Sequence, residues 1–454
     1  MTNTLYLPEL REYLAQNDTN ELREFCDALH PARAAEFMEG LTPQESWEVL
    51  HHASEEARAE IFRFFDPAVQ IEVISTNPRK EVAALIANLR PDERVDLLKE
   101  IEPRVCDELL ELVPADDRLD ILRLRAYPEG TAGAVMTTDF ARLREDMTVA
   151  EATQEVRRQA KQQETIFYLY VVDAHDYLRG LISLRDLVLG DEEARIGDLM
   201  ERDVVVVHVA DDQEEVAQTM ARYDFLAIPV VNQANQILGI ATYDDIIDVV
   251  VEEATEDAHR IAAIDPLNTG YLQTQLFTLT WKRGMWLMIL FLGSLITAYT
   301  LSSYEGTFAR VPWLVLFIPL VISSGGNSGS QSATLIITAL STGDITLSDW
   351  ARIVWREFLM GILLGGFLAM MGYIAAAFHG DVSFMDATVV PLTLLLVVLC
   401  GTLSGSLLPL LFCRLGLDPA MMSNPFVACI IDIVGILIYM GVALTILEVP
   451  LAGH

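Results

Sequence analysis

Five long apolar runs fill the C-terminal part of this 454-residue chain, at about 284–303, 311–340, 358–378, 387–412 and 424–447. Each is long enough to cross a bilayer as a helix. Backbone inside a bilayer must hydrogen-bond to itself, so residues 283–454 are expected to form an all-α membrane domain of five transmembrane helices. Charge divides the chain at the same place. Residues 281–454 hold six Lys/Arg and nine Asp/Glu, which leaves 25 basic and 56 acidic side chains in residues 1–280, net −31. So acidic a soluble half repels nucleic acid and attracts cations. The expected partners therefore include the lipid bilayer and exclude nucleic acid.

Loop charges set an orientation. Lys282 and Arg283 precede the first run, Arg352 and Arg356 lie between the second and third, and Arg414 between the fourth and fifth, against Arg310 alone in the other loops. This bias places the protein in the cytoplasmic (inner) membrane, multi-pass, with its N-terminal domains cytoplasmic and its C-terminus outside. The five cysteines have no C-x-x-C spacing, which fits a reducing compartment without a disulfide framework or zinc site. The N-terminal MTNTLYLPELREYL has no basic-then-apolar pattern of a cleaved signal peptide.

Asp432 is the single charged side chain between Pro419 and Leu447, near the middle of the last run. A carboxylate there costs roughly 2.5–3.5 kcal/mol on insertion scales, so such a group faces a polar path or a partner. The second run carries Ser323-Ser-Gly-Gly-Asn-Ser-Gly-Ser-Gln-Ser332, which is expected to interrupt the span and to need internal partners or water. Asn327 and Gln331 are candidate supports of an ion path there. Gly361/Gly365 and Gly401/Gly405 in the next two runs are expected to serve helix packing. Pro409 and Pro425 are expected to kink or begin their spans.

Residues 1–130 read as an acidic all-α superhelix. Prolines recur on a beat of about twelve, at 31, 43, 67, 78, 91, 103 and 114, with one beat missing near Ser54. Proline suits a first helical turn, and helices this short must stack to bury a face. Residues 131–257 hold an α/β repeat of two copies, about 135–197 and 198–257. Val135-Met-Thr returns as Leu199-Met-Glu, and Leu178-Arg-Gly-Leu-Ile-Ser183-Leu-Arg-Asp186 returns as Ile237-Leu-Gly-Ile-Ala-Thr242-Tyr-Asp-Asp245. Ser183 and Thr242 stand where an N-cap opens the last helix of each copy. The stretch closely resembles a tandem CBS pair. That resemblance implies a cleft for an adenine nucleotide such as ATP, with Tyr170, Ser183, Arg185, Asp186 and Phe225 as the matching residues. After it, 258–282 is expected to form a linker (plug) helix running to the membrane.

The order of superhelix, CBS pair, linker and five spans, with GGNSGSQSATLI and DPAMMSNPFVACIIDIVG in the spans, closely resembles the MgtE family of magnesium transporters over essentially the whole chain. The resemblance implies a homodimer with a pore between subunits and a magnesium-selective channel or transporter, not an enzyme. Mg²⁺ is then both substrate and regulator. Mg²⁺ takes oxygen ligands octahedrally and keeps several waters, so one carboxylate per subunit, doubled by a two-fold axis, suffices for a ring. The matching residues are Asp432, the carbonyl of Ala428 one turn earlier and Asn424 one turn before that. Two acidic layers repel until divalent ions bridge them, so high internal Mg²⁺ is expected to compact the cytosolic domains and shut the pore. The residues carried over for this are Asp92 and Asp96; Asp212, Glu214, Asp224, Asp245 and Asp248; Glu253, Glu256 and Asp257; and Asp418 in the loop before the last span, expected to meet the linker.

Other classes fit less well. An intramembrane aspartyl protease needs two intramembrane Asp residues, and only Asp432 is expected to lie deep in a span. A zinc protease needs His-Glu-x-x-His, which is absent. A CBS-bearing anion channel conflicts with an acidic pore. A membrane-tethered divalent-cation or nucleotide sensor leaves Asp432 without a role.

Overall fold

The computed structural model describes residues 5–160, 163–267, 270–272, 274–378, 382–421 and 423–447. The chain forms two compact units, Met1–Val249 and Val250–His454.

The first unit begins with ten helices from α1 (Leu7–Gln16) to α10 (Ala115–Leu124). Proline opens α3 (Pro31–Met38), α4 (Pro43–His51), α6 (Pro67–Thr76), α8 (Pro91–Glu100) and α9 (Pro103–Leu112), and it caps α7 (Arg79–Ala87) and α10. The missing beat is supplied by Ser54, whose Oγ accepts from Ala57 N at 3.1 Å to start α5 (Glu55–Phe62). Each helix packs on those two positions away: α5 on α3 and α7, α7 on α9, α6 on α4 and α8, α8 on α10. That is the two-layered stack expected of helices too short to stand alone. Leu50, Phe62, Ile74, Ile86, Leu98 and Leu109 fill the seam between the layers.

The repeat folds as two matching units. In the first, β1 (Phe140–Leu143), α11 (Val149–Gln159), β2 (Thr165–Val172), β3 (Leu178–Ser183) and α12 (Leu184–Leu189) follow in order. After α13 (Ile196–Leu199), the second runs β4 (Val207–His208), α14 (Gln213–Tyr223), β5 (Ala227–Val231), β6 (Ile237–Thr242) and α15 (Tyr243–Ile261). Each sheet has its first strand parallel to the second and the third antiparallel, with Tyr168 opposite Ser183 and Ala227 opposite Thr242. Gly180 and Gly239 lie where a Cβ would strike Met200 and the Thr137 carbonyl, which explains a glycine in each copy.

The linker differs from expectation. Among the described residues no single helix covers 258–282: α15 continues out of the repeat to Ile261 and stops, and the next helix begins at Leu276. Ala263 turns the chain with φ 58°. Asp265-Pro266 then disfavours helix on both sides of the bond.

The second unit contains α16 (Leu276–Ser302), α17 (Glu305–Arg310), α18 (Trp313–Ser341), α19 (Trp350–Ala377), α20 (Val389–Arg414) and α21 (Asn424–Ile446). By length and composition, four segments among the described residues can cross a membrane: Leu276–Ser302, Leu347–Ala377, Asp386–Arg414 and Asn424–Ile446. The second run, α18, has 29 residues but is diluted by its polar stretch. That stretch does not interrupt it, contrary to expectation. The helix passes unbroken through 323–332: Ser324 donates to Leu320 O at 2.7 Å and Ser330 and Ser332 bond to neighbouring helices, while Ser328 Oγ is buried without a partner among the described residues. Its glycines are seats for α20, which packs between α18 and α19, and α21 closes on α18 and α20. A Cβ on Gly401 would come 2.5 Å from Gly325 O, and one on Gly405 would run into Gly329 O. The expected packing role of Gly361 and Gly365 also holds, against Leu399, Thr402 and Leu395. Tyr439, buried in α21, donates to Leu314 O at 2.9 Å.

Overpacking a seam this tight costs about 1–3 kcal/mol and sometimes more. Gly405→Val, where backbone meets backbone, is expected at the top of that range. Thermal melting of the detergent-purified chain checks it; a variant melting with the unchanged chain would show that the seam can open freely.

Candidate functional site

Two regions gather the candidate residues. In the soluble unit, the first turns of α8 and α15 and the approach to β2 converge. Arg90, at the N-cap of α8, donates from Nη1 to Glu164 Oε1 at 2.7 Å and to Asp244 Oδ2 at 3.0 Å. Glu164, Asp244 and Asp245 each bring a carboxylate oxygen within 4.8 Å of the others. Thr242, expected as an N-cap, turns its hydroxyl to the Asp244 and Asp245 carboxylates. Asp92 is 8% exposed, and among the described residues Asp92 Oδ1 and Glu164 Oε2 are buried without a hydrogen-bond partner. Glu93 is paired with Arg63 at 2.8 Å.

Burial and mutual repulsion set the acidities. Burial, then the neighbouring Glu164 charge, pushes Asp245 up to about 7. Burial, then Asp245, raises Asp92 well above the carboxylate range. Burial also raises Glu164 and Glu93, although Arg90 and Arg63 oppose it. At Asp244 burial pushes upward, but hydrogen bonds from Thr242 and Arg90 prevail and lower it. A carboxyl raised in the folded state binds protons more tightly there than when unfolded, so its stabilisation is present at low pH and lost as pH rises through the folded value. Without divalent ions, melting is therefore expected to fall between pH 5 and pH 8, by the order of 2 kcal/mol or about 5 °C. Millimolar Mg²⁺ should flatten the slope. A melting temperature level across that range in chelator would refute this picture of the cluster.

The other soluble candidates are not among the three carboxylates that approach one another. Asp96 is exposed and paired with Lys99 at 3.0 Å. Asp212 caps α14 through Glu214 N at 2.8 Å, and Asp224 ends that helix in the left-handed region at φ 54°. Asp248 is exposed on α15.

The nucleotide candidates divide. Ser183 and Arg185 line a cleft of about 680 Å³ with Phe167, Tyr168, Leu184 and Leu226. Ser183 caps α12 through Asp186 N and donates to the Asp186 carboxylate at 2.6 Å. Phe225 stacks on Tyr223 with centroids 5.3 Å apart and meets Tyr168 edge-on at 6.4 Å. Tyr170 is corrected: it is fully buried, edge-on to Phe140 at 5.7 Å, and Tyr168 lines the cleft in its place. Tyr168 and Tyr170, two apart, share a strand face, but Ala227, Val231, Ile237 and Ile240 of the second sheet cover that face at Tyr170.

In the second unit, Asn424, Ala428 and Asp432 follow at one-turn intervals along α21. Gly326 of α18 lies beneath them; a Cβ there would stand 3.4 Å from Ala428 Cβ and 3.7 Å from Asp432 Oδ1. Asp432 is half-buried on α21, and its carboxylate forms no hydrogen bond or ion pair among the described residues. Asn424 is tied to α18: Thr334 Oγ1 lies 2.9 Å from its Nδ2, and Ser330 Oγ donates to its carbonyl at 3.2 Å. Asn327 and Gln331 are exposed on α18, and Asn327 donates to Ser323 Oγ at 3.2 Å. Asp418 accepts from Ala420 N at 2.7 Å and pairs with Arg260, which also pairs with Glu256. It thus meets the end of α15. Asp257 accepts from Ser341 Oγ at 2.7 Å, and Glu253 is half-buried on the same helix.

Sequence reasoning missed Arg90, Glu164, Asp244 and Glu357. Glu357 is 9% exposed, two turns inside α19, and accepts from Ser332 Oγ at 2.6 Å. It is a second buried carboxylate in a span, hidden because its helix begins at Trp350 rather than near 358. The acidic first turns Pro91-Asp-Glu and Tyr243-Asp-Asp were visible signals for the soluble centre; the loop residue Glu164 had none.

Comparison with known proteins agrees along the whole chain. Residues 318–442 match the divalent cation transporter family model MgtE, residues 29–130 the MgtE intracellular N domain, and residues 132–191 and 196–252 the CBS domain. A magnesium transporter MgtE of Thermus thermophilus is 37% identical over 442 residues, covering 97% of this chain and 98% of that protein. One of Enterococcus faecalis is 33% identical over 448 residues, covering 96% and 95%. The soluble part of a magnesium transporter, 36% identical, superposes with TM-score 0.52 over 54% of this chain and 97% of that one. The cytosolic domain of the Mg²⁺ channel MgtE in complex with ATP, 35% identical, gives TM-score 0.51 over 53% and 98%. The chain belongs to the MgtE family of magnesium transporters.

Proposed function

We propose that this protein conducts Mg²⁺ through a path lined by Asp432, and that its cytosolic carboxylates close that path when internal Mg²⁺ is high. The observation that carries the proposal is Asp432 itself. It is a half-buried carboxylate in a span, with no hydrogen bond or ion pair among the described residues, beside Gly326 on the glycine-lined face of α18. A hydrated divalent cation supplies the missing charge. One carboxylate is few for such an ion, so the path lies on a two-fold axis of a homodimer in the bilayer, where a second Asp432 completes the ring. The soluble domains face the cytoplasm and the C-terminus lies outside.

Sensing rests on the cluster of Asp92, Glu164, Asp244 and Asp245, where Arg90 offsets only part of the negative charge and a divalent ion is favourable. Asp418, Glu256 and Asp257, joined through Arg260 and Ser341, connect the end of α15 to the membrane helices. The cleft at Ser183 and Arg185 takes an adenine nucleotide; the ATP complex of the similar cytosolic domain supports this. The test is Mg²⁺ influx into liposomes holding the purified chain, with Mg²⁺ varied on the cytoplasmic face. Influx that falls as that concentration rises supports the gate. A chain that binds Mg²⁺ but passes none would be a sensor.

A further inference from the structure

We propose that Arg90 is a tethered cation that occupies the soluble divalent site and competes with Mg²⁺ for it. This rests on the sensing role given above to that cluster. The guanidinium donates to two of the three carboxylates that approach one another within 4.8 Å, Glu164 at 2.7 Å and Asp244 at 3.0 Å. It stands where a bridging ion would stand. It leaves a buried group unserved: among the described residues Asp92, 8% exposed, keeps Oδ1 buried and unpartnered, as Glu164 keeps Oε2. Glu164 has a side chain only 3% exposed, so its charge cannot be screened by water in place of a cation.

A planar guanidinium reaches carboxylates along fixed directions, whereas Mg²⁺ with its waters gathers oxygens from all sides. Arg90 therefore holds the cluster together without satisfying it. Its tether is short, because Arg90 caps the same helix whose first turn supplies Asp92 and Glu93. An incoming ion must break both arginine bonds before it can use those oxygens. Arg90 thus raises the Mg²⁺ concentration at which the soluble unit responds, and swings out once the ion is bound.

The test follows the Mg²⁺ midpoint of thermal stabilisation of the full-length chain in detergent, at constant ionic strength. Arg90→Met and Arg90→Gln should each lower the midpoint by roughly tenfold, the change expected when a charge-assisted contact no longer has to be broken. Arg90→Lys, which keeps the charge, should stay within about twofold of the unchanged chain. Both neutral variants should melt lower without divalent ions and regain the unchanged chain's melting temperature in saturating Mg²⁺, a rescue that a merely structural ion pair would not show. If the methionine variant is unfolded in chelator, the glutamine variant, which keeps a donor toward Glu164, gives the same readout. Asp245→Asn serves as the control on the site. If it raises the midpoint while the neutral Arg90 variants leave theirs unchanged or higher, competition is overturned and the site stands. If Asp245→Asn leaves the midpoint unmoved, the site itself is wrong.

Discussion

Asp432→Asn is expected to remove Mg²⁺ influx almost entirely, by about 100-fold, while leaving the protein folded and monodisperse in detergent. The substitution keeps the side chain's size and changes only its charge. The asparagine fits beneath Gly326 as the aspartate does, so the seam of α18, α20 and α21 is undisturbed. What disappears is the charge that offsets dehydration of a divalent ion, at both members of the proposed ring. A 100-fold loss corresponds to about 2.7 kcal/mol, modest for two charges facing a divalent ion in a partly desolvated path. Proteoliposome influx, with unchanged chain and variant reconstituted side by side, measures it directly. Equal influx from both would take Asp432 out of the path, and Asn327 on the exposed face of α18 would be the next residue to change.

Much of this architecture was legible because its signals are local. The proline beat is a property of single helix starts, and Ser54 restored the missing beat by a cap that proline does not need. The repeat was legible because the two copies share their glycines and their helix-opening Ser183 and Thr242. Asp432 was legible because charge in an apolar run has no ordinary explanation. Signals that depend on distant chain were not legible. Glu164 acquires its meaning only when folding brings it to Arg90 and Asp244, 74 and 80 residues away in sequence. Tyr170 was a candidate through the CBS resemblance, and the sequence does not show how far along the shared face of Tyr168 and Tyr170 the second sheet reaches. Glu357 escaped because hydropathy alone placed the start of its helix too late. The polar stretch of α18 misled for the opposite reason: side-chain composition counted against a helix that its own backbone sustains, with glycines that let α20 approach.

The second large effect is expected from Asp92→Asn combined with Asp245→Asn. In chelator the double variant should melt above the unchanged chain, because two carboxyls that are costly to ionise become neutral. In Mg²⁺ the order should invert. A ligand that binds only the folded state stabilises it by about 2.7 kcal/mol at a hundred times its dissociation constant, and the variant, lacking two oxygens of charge, should gain little of that. The same inversion should appear in transport. Influx through the unchanged chain should fall as cytoplasmic Mg²⁺ rises, whereas the variant should stay open at concentrations that close its parent. Arg90 sharpens the comparison, since in the variant it still finds Glu164 and Asp244 and so keeps the cluster assembled without the ion. Loss of closure would then come from loss of the ion site, not from an unfolded domain. A double variant that still gains stability from Mg²⁺ as its parent does, and still closes, would move the sensor to the carboxylates at the end of α15, where Arg260 joins Glu256 to Asp418.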